Sequence, residues 1–142
     1  SRFNWFSEIL SIIRELKIED YVIYTGYLEN EKDMPYFYRD SDVVVSVPSS
    51  DSSPRSVYEA MACGIPVIIS DLEWYRNKFT AEKEVAVVPV GNIELLANKI
   101  ITILKNNYLD TEAAYQYVFE NINMIKHSQK LENLYKELLK NK

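Results

Sequence analysis

Cysteine, histidine, surplus basic charge and long apolar runs are all scarce in this chain. A single cysteine, Cys63, excludes an internal disulfide framework and any cysteine-based zinc site, and it fits a reducing compartment. A cytoplasmic location is expected. The only histidine, His127, reads as structural or exposed, because acid–base work needs a partner and a cleft. Sixteen Lys and Arg stand against 21 Asp and Glu, a net charge of −5 and a pI near 5.0, whereas gripping a phosphate backbone takes a cluster of cations. No nucleic-acid partner is expected. Apolar runs such as Val43 to Val47 and Val67 to Ile69 fall far below the roughly 20 residues that span a bilayer. The N-terminus has no signal-peptide pattern, yet it begins with Ser1, so further sequence is expected upstream. The acidic clusters Glu29–Asp33 and Glu82–Glu84 lack metal-ligand spacing and read as solvated turns, and neither a metal nor a cofactor is expected.

What remains is an ordinary globular composition, 47% hydrophobic and 26% charged over 142 residues, enough for one domain with one core. Four short runs rich in Val and Ile read as strands: Tyr21–Thr25, Asp42–Val47, Pro66–Ser70 and Glu84–Val88. Their apolar character is continuous rather than alternating, which suits a parallel sheet covered on both faces. The spacing of Phe6, Ile9, Leu10, Ile13 and Leu16 predicts a helix with one apolar stripe toward that sheet. Asn92 predicts the cap of a helix whose inner face is Ile93, Leu96, Ala97, Ile100 and Leu104, and Leu131, Leu134, Tyr135 and Leu138 line the last helix. Strand and helix alternate until about Leu104; beyond it the chain is helical, with a break near Asn121–Asn123. The pattern predicts an α/β fold with a parallel sheet, flanking helices and a helical C-terminal segment.

Chemistry concentrates between Val45 and Pro66. Ser53 is the expected N-cap and Pro54 suits a first helical turn; a helix to about Cys63 then stops at Gly64 in a left-handed conformation. The backbone N–H groups of Arg55, Ser56 and Val57 would be free at that helix start, where the dipole favours an anion such as a diphosphate. The loop follows the carboxyl end of a parallel strand, where open α/β sheets bind ligands. Asp51 belongs to the loop and Glu59 to the helix flank.

The run Pro48-Ser-Ser-Asp51 through Glu59-Ala-Met-Ala-Cys-Gly64-Ile-Pro-Val, then Ser70-Asp71, resembles the donor-site signature of family-4 retaining glycosyltransferases with the GT-B fold. Val22-Ile-Tyr-Thr-Gly26-Tyr-Leu, Met34 to Val43, Val85 to Val90 and the closing Leu134-Tyr-Lys-Glu-Leu are similar as well. The resemblance implies a Rossmann-like domain that binds a nucleoside-diphosphate sugar. Carried over by position, Glu59 grips the ribose hydroxyls and Asp51 lies by the transferred sugar in the catalytic centre. Ser56 and the neighbouring amides of Arg55 and Val57 receive the diphosphate, Ser53 belongs to the same donor-binding stretch, and Tyr27 and Leu28 border the base. Asp51 stands where the family more often has Glu, and Ser52-Ser53-Pro54 replaces its frequent glycine-aromatic-glycine. Two strand–helix units and a companion domain with the acceptor site are expected outside these residues. The resemblance thus gives a donor-binding part that by itself neither transfers sugar nor forms a well-sealed monomer, its open strand edge at Val43–Val47 self-associating, re-pairing with the chain's own strands in a different order or pairing with a separately supplied fragment, and a whole enzyme that associates peripherally with membranes.

Each signal has a plainer reading. Glu59 is otherwise a surface helix residue, Asp51 a carboxylate closing an Asx turn, and Arg55 a solvated cation at a helix end that disfavours it. Cys63, Trp5 and Trp74 read as packing. The alternatives to a transferase are a non-catalytic or partner-dependent nucleotide-sugar-binding module and another GT-B enzyme such as an epimerase.

Overall fold

A computed structural model describes residues 4–27 and 30–140, which fall into two compact units, Ser1–Glu31 and Lys32–Lys142. In the first, α1 (Asn4–Leu16) ends where Lys17 takes a left-handed φ of 55°. A short 3-10 turn, Glu19–Tyr21, follows. The expected strand at Tyr21–Thr25 is not formed: the residues from Val22 on are irregular, and the only sheet among the described residues is made of other segments. β-rich composition makes no strand without a ladder partner for its N–H and C=O groups. The stripe of α1 accordingly meets no strand within this unit. Phe6 packs on Tyr24 with ring centroids 4.8 Å apart, while Ile9 and Leu16 are exposed.

The second unit contains a three-stranded parallel sheet in the order β1 (Val44–Ser46), β2 (Val67–Ser70), β3 (Ala86–Val88), with Val44 opposite Val67 and Ile68 opposite Ala86. The other three expected strands are therefore present, trimmed at their ends. β2 is the central strand, and all its residues are buried. Its alternation feeds two cores: Val67 and Ile69 join Val57, Ala60 and Met61 on one face, and Ile68 joins Ala86, Val88, Ile103 and Leu109 on the other. Continuous apolarity thus reflects two covered faces.

The crossover from β1 to β2 carries α3 (Arg55–Ala62), preceded by the short α2 (Met34–Arg39). The β2–β3 connection, by contrast, holds only a 3-10 turn, Glu73–Tyr75, so strict alternation of strand and helix fails there. Trp74 packs edge-on against Tyr58 and Phe79 in this connection. α4 (Ile93–Lys105) is capped by Asn92, whose Oδ1 accepts from the Leu95 amide at 3.0 Å. Its packed side is Leu95, Leu96, Ile100 and Ile103; Ile93, Ala97 and Leu104 are exposed. The predicted face is rotated, because β3 and β2 meet the helix on its Leu95–Ile103 line. Glu82 is exposed, as expected of a solvated turn, while Glu84 is partly buried, and both carboxylates also anchor neighbouring groups. Glu82 accepts from Lys99 and from the Tyr108 hydroxyl, and Glu84 Oε2 accepts from the Thr80 amide at 2.8 Å. Against the cost of their burial, these partners hold both carboxyls below their ordinary range.

α5 (Thr111–Asn121), capped by Asp110, buries Ala114 and Val118 against the core that includes α3. The chain breaks at Ile122–Asn123 as expected and resumes as α6 (Met124–Lys140), in which Leu131, Leu134, Tyr135 and Leu138 are all exposed.

Candidate functional site

The loop between β1 and α3 is fixed at both ends. At its start the Ser70 hydroxyl, buried at the end of β2, donates to the Pro48 carbonyl at 2.6 Å. At its end Pro54 is buried and extended, with φ −69° and ψ 109°. Proline, not Ser53, is therefore the residue half in the helix, and it offers no side-chain cap. The Ser53 amide instead donates to Asp51 Oδ1 at 2.9 Å, an Asx turn that replaces the expected cap. Gly64 closes α3 with φ +76° as predicted.

Of the three amides expected to be free, Val57 is taken: its N–H donates to the Pro54 carbonyl at 3.2 Å. The cause is a tightened first turn, which satisfies one orphan donor locally. The amides of Arg55 and Ser56 have no acceptor among the described residues. Ser56 is exposed at the same end.

One turn on, Glu59 is half-buried and both its oxygens are engaged. Oε1 accepts from Arg55 Nε at 2.7 Å, and Oε2 accepts from the Tyr38 hydroxyl at 3.0 Å. Arg55 thus pairs with the carboxylate on its own helix, one turn away, which offsets its poor place near a helix start. Tyr38 comes from α2, with its ring in the core beside α3. Burial first, then the hydrogen bond and the negative charge of Glu59, push its hydroxyl up to about 12. Nothing in the sequence separates Tyr38 from Tyr36 and Phe37; only packing does, since those two are exposed.

Asp71 lies beyond the carboxyl end of β2. Its amide donates to the Val88 carbonyl at 2.8 Å, and its Oδ1 accepts from the Tyr75 hydroxyl and Arg76 Nη2, both at 3.0 Å. Those hydrogen bonds, Arg76 first, hold its carboxyl below the usual range. Sequence reasoning assigned Asp71 no role, and its partners follow it too closely to form a recognisable spacing.

Asp51, Ser53, Arg55, Ser56, Val57 and Glu59 therefore all lie on one loop and the first turns of one helix. Tyr27 belongs to the first unit and is exposed, and Leu28 lies outside the described residues. His127 is exposed, its ring 2.5 Å from the Asn121 carbonyl, and Cys63 is half-buried against the core. Among the described residues no group of three or more His, Cys, Asp or Glu is placed to hold a metal ion. None of the helices there is long and apolar enough to cross a membrane.

N-acetyl-alpha-D-glucosaminyl L-malate synthase of Bacillus anthracis is 26% identical over 138 residues, which is 95% of this chain and 35% of that protein. The fold matches sucrose-phosphate synthase from Thermosynechococcus elongatus with a TM-score of 0.83 at 24% identity, over 96% of this chain and 35% of that one. It also matches the C-terminal domain of a glycosyl transferase group 1 family protein from Francisella tularensis, with a TM-score of 0.76 at 17% identity, over 86% of this chain and 64% of that domain. The chain thus spans about a third of the length of the curated relative it matches. The pattern described as Glycosyl transferases group 1 matches residues 4–136, nearly the whole sequence and the entire segment from β1 to β2. The chain belongs to the group 1 glycosyl transferases.

Proposed function

We propose that this chain is the donor-binding part of a retaining glycosyltransferase, which takes a sugar from a nucleoside-diphosphate sugar and passes it to an acceptor. The observation that carries the reading is the pairing, on one helix, of amides without acceptors at Arg55 and Ser56 with the half-buried carboxylate of Glu59. A diphosphate at the helix start meets two N–H groups, the Ser56 hydroxyl and the positive end of the dipole. Glu59 accepts hydrogen bonds from the ribose hydroxyls, and Asp51, one oxygen already spent on Ser53, offers the other to the sugar. Tyr27 and Leu28 are assigned to the base on the sequence resemblance alone. Catalysis in this reading is electrostatic: oriented N–H dipoles stabilise charge growing on the diphosphate as the sugar leaves, and the carboxylates hold the donor in line. No divalent ion takes part. The relatives' names differ in the product made, so neither sugar nor acceptor is carried over.

Transfer requires a facing domain that closes the cleft and brings the acceptor; the isolated chain therefore binds donor weakly and transfers nothing. Calorimetric titration of the full-length protein with UDP, GDP and ADP tests the site. Glu59→Ala is expected to weaken the best binder roughly 10- to 100-fold, as loss of a charge-assisted hydrogen bond of about 1.5–3 kcal/mol implies. Equal affinity in a folded variant removes Glu59 from the site.

A further inference from the structure

We infer that Tyr38 is the positioning residue for Glu59: its hydroxyl fixes Oε2, so that Oε1, held only by Arg55, is the oxygen presented to a bound ribose. The inference rests on the reading of Glu59 given above and adds a residue that neither the motif nor the family match assigns.

With both oxygens engaged in the free protein, an incoming hydroxyl must displace one partner, and the two partners are unlike. Tyr38 is 8% exposed and is contributed by another helix, 21 residues away in sequence. Its ring is packed in the same core as Val57, Ala60 and Met61, so moving the phenol would disturb close packing. Arg55 is the opposite: its side chain is 80% exposed, it sits one turn from Glu59, and it lies at the helix end whose dipole opposes a cation. Exposed ion pairs one helical turn apart are weak, while a hydrogen bond from a buried donor to a carboxylate is among the stronger kinds. Arg55 is the partner that yields, and its release toward the helix start brings a cation to the diphosphate.

The test is a double-mutant cycle in the full-length protein, with UDP, GDP and ADP as probes and melting temperatures measured alongside. Tyr38→Phe keeps the ring and removes only the hydroxyl. It is expected to weaken nucleotide binding about tenfold in the parent and less than about twofold in a Glu59→Ala background. Equal weakening in both backgrounds means that Tyr38 acts through packing alone and overturns the proposal. No weakening by Tyr38→Phe, where Glu59→Ala does weaken binding, also overturns it and leaves the reading of Glu59 standing. If Glu59→Ala changes nothing, or no probe binds the parent, the reading of the site fails and the positioning role falls with it.

Discussion

α3 and α6 are both amphipathic helices of the second unit, but α3 buries Val57, Tyr58, Ala60 and Met61 within eight residues, while α6 buries nothing in 17. The difference does not come from sequence pattern, since each carries a clear apolar stripe. It comes from what stands opposite. α3 is flanked by β1, β2, α2 and α5, so its apolar side chains leave water for a close-packed core. Periodicity therefore shows that a helix has an apolar face without showing what covers it. The candidate site is built on the helix that is packed on several sides.

Met61→Ala tests the strong side of this contrast and has the largest expected effect. Met61 is 1% exposed in the α3–β2 core, and truncating a fully buried large side chain costs about 2–5 kcal/mol. Chemical denaturation of the 142-residue chain measures it, and a loss below about 1 kcal/mol would mean the core is looser than the contrast requires. An intermediate case is Asn92→Ala, which removes the cap of the partly buried α4 and is expected to cost about 1 kcal/mol by the same measurement.

A smaller effect is expected at high pH. Tyr38 ionises at about 12 in the folded chain against an ordinary 10.0, so the folded form keeps a proton that the unfolded chain gives up. Its stabilising contribution is complete below about pH 10 and is lost as pH rises toward 12. Tyr75 and Tyr108 are also pushed up, chiefly by burial and then by Asp71 and Glu82, and they add to the same slope. Denaturant midpoints between pH 9 and 12 should fall less steeply in Tyr38→Phe than in the parent; parallel curves would contradict the buried hydroxyl. The smallest effect belongs to Leu134→Ala in α6, expected to stay within about 0.5 kcal/mol in this chain because the side chain is already exposed. A clear loss would show that α6 has found a partner, and the self-association expected of an open strand edge is one way to supply it.

The legibility of this chain followed how local each feature is. β2 could be read because burial on both faces leaves a continuous apolar run, and Gly64 because a left-handed stop before Pro66 has few substitutes. Tyr21–Thr25 has the same composition as a strand, but composition does not report a missing ladder. The face of α4 was misjudged around Ile93 and Leu104, since leucine and isoleucine occur all round that helix and only the sheet selects among them. At the site, Asp51, Arg55, Ser56 and Glu59 stood out as a linear motif. The Val57 amide is taken by the Pro54 carbonyl, a turn whose closure no residue type in the motif specifies. Tyr38 reaches Glu59 across 21 residues of chain, a contact that no spacing rule encodes.

The hydrogen bond from Ser70 to the Pro48 carbonyl also ties the start of the site loop to a strand that comes later in the chain. Its two ends are 22 residues apart, and they come within reach only once β1 and β2 have closed their ladder. The residues of the loop and of α3 are thus local in sequence, but the path of the loop depends on a strand that follows both.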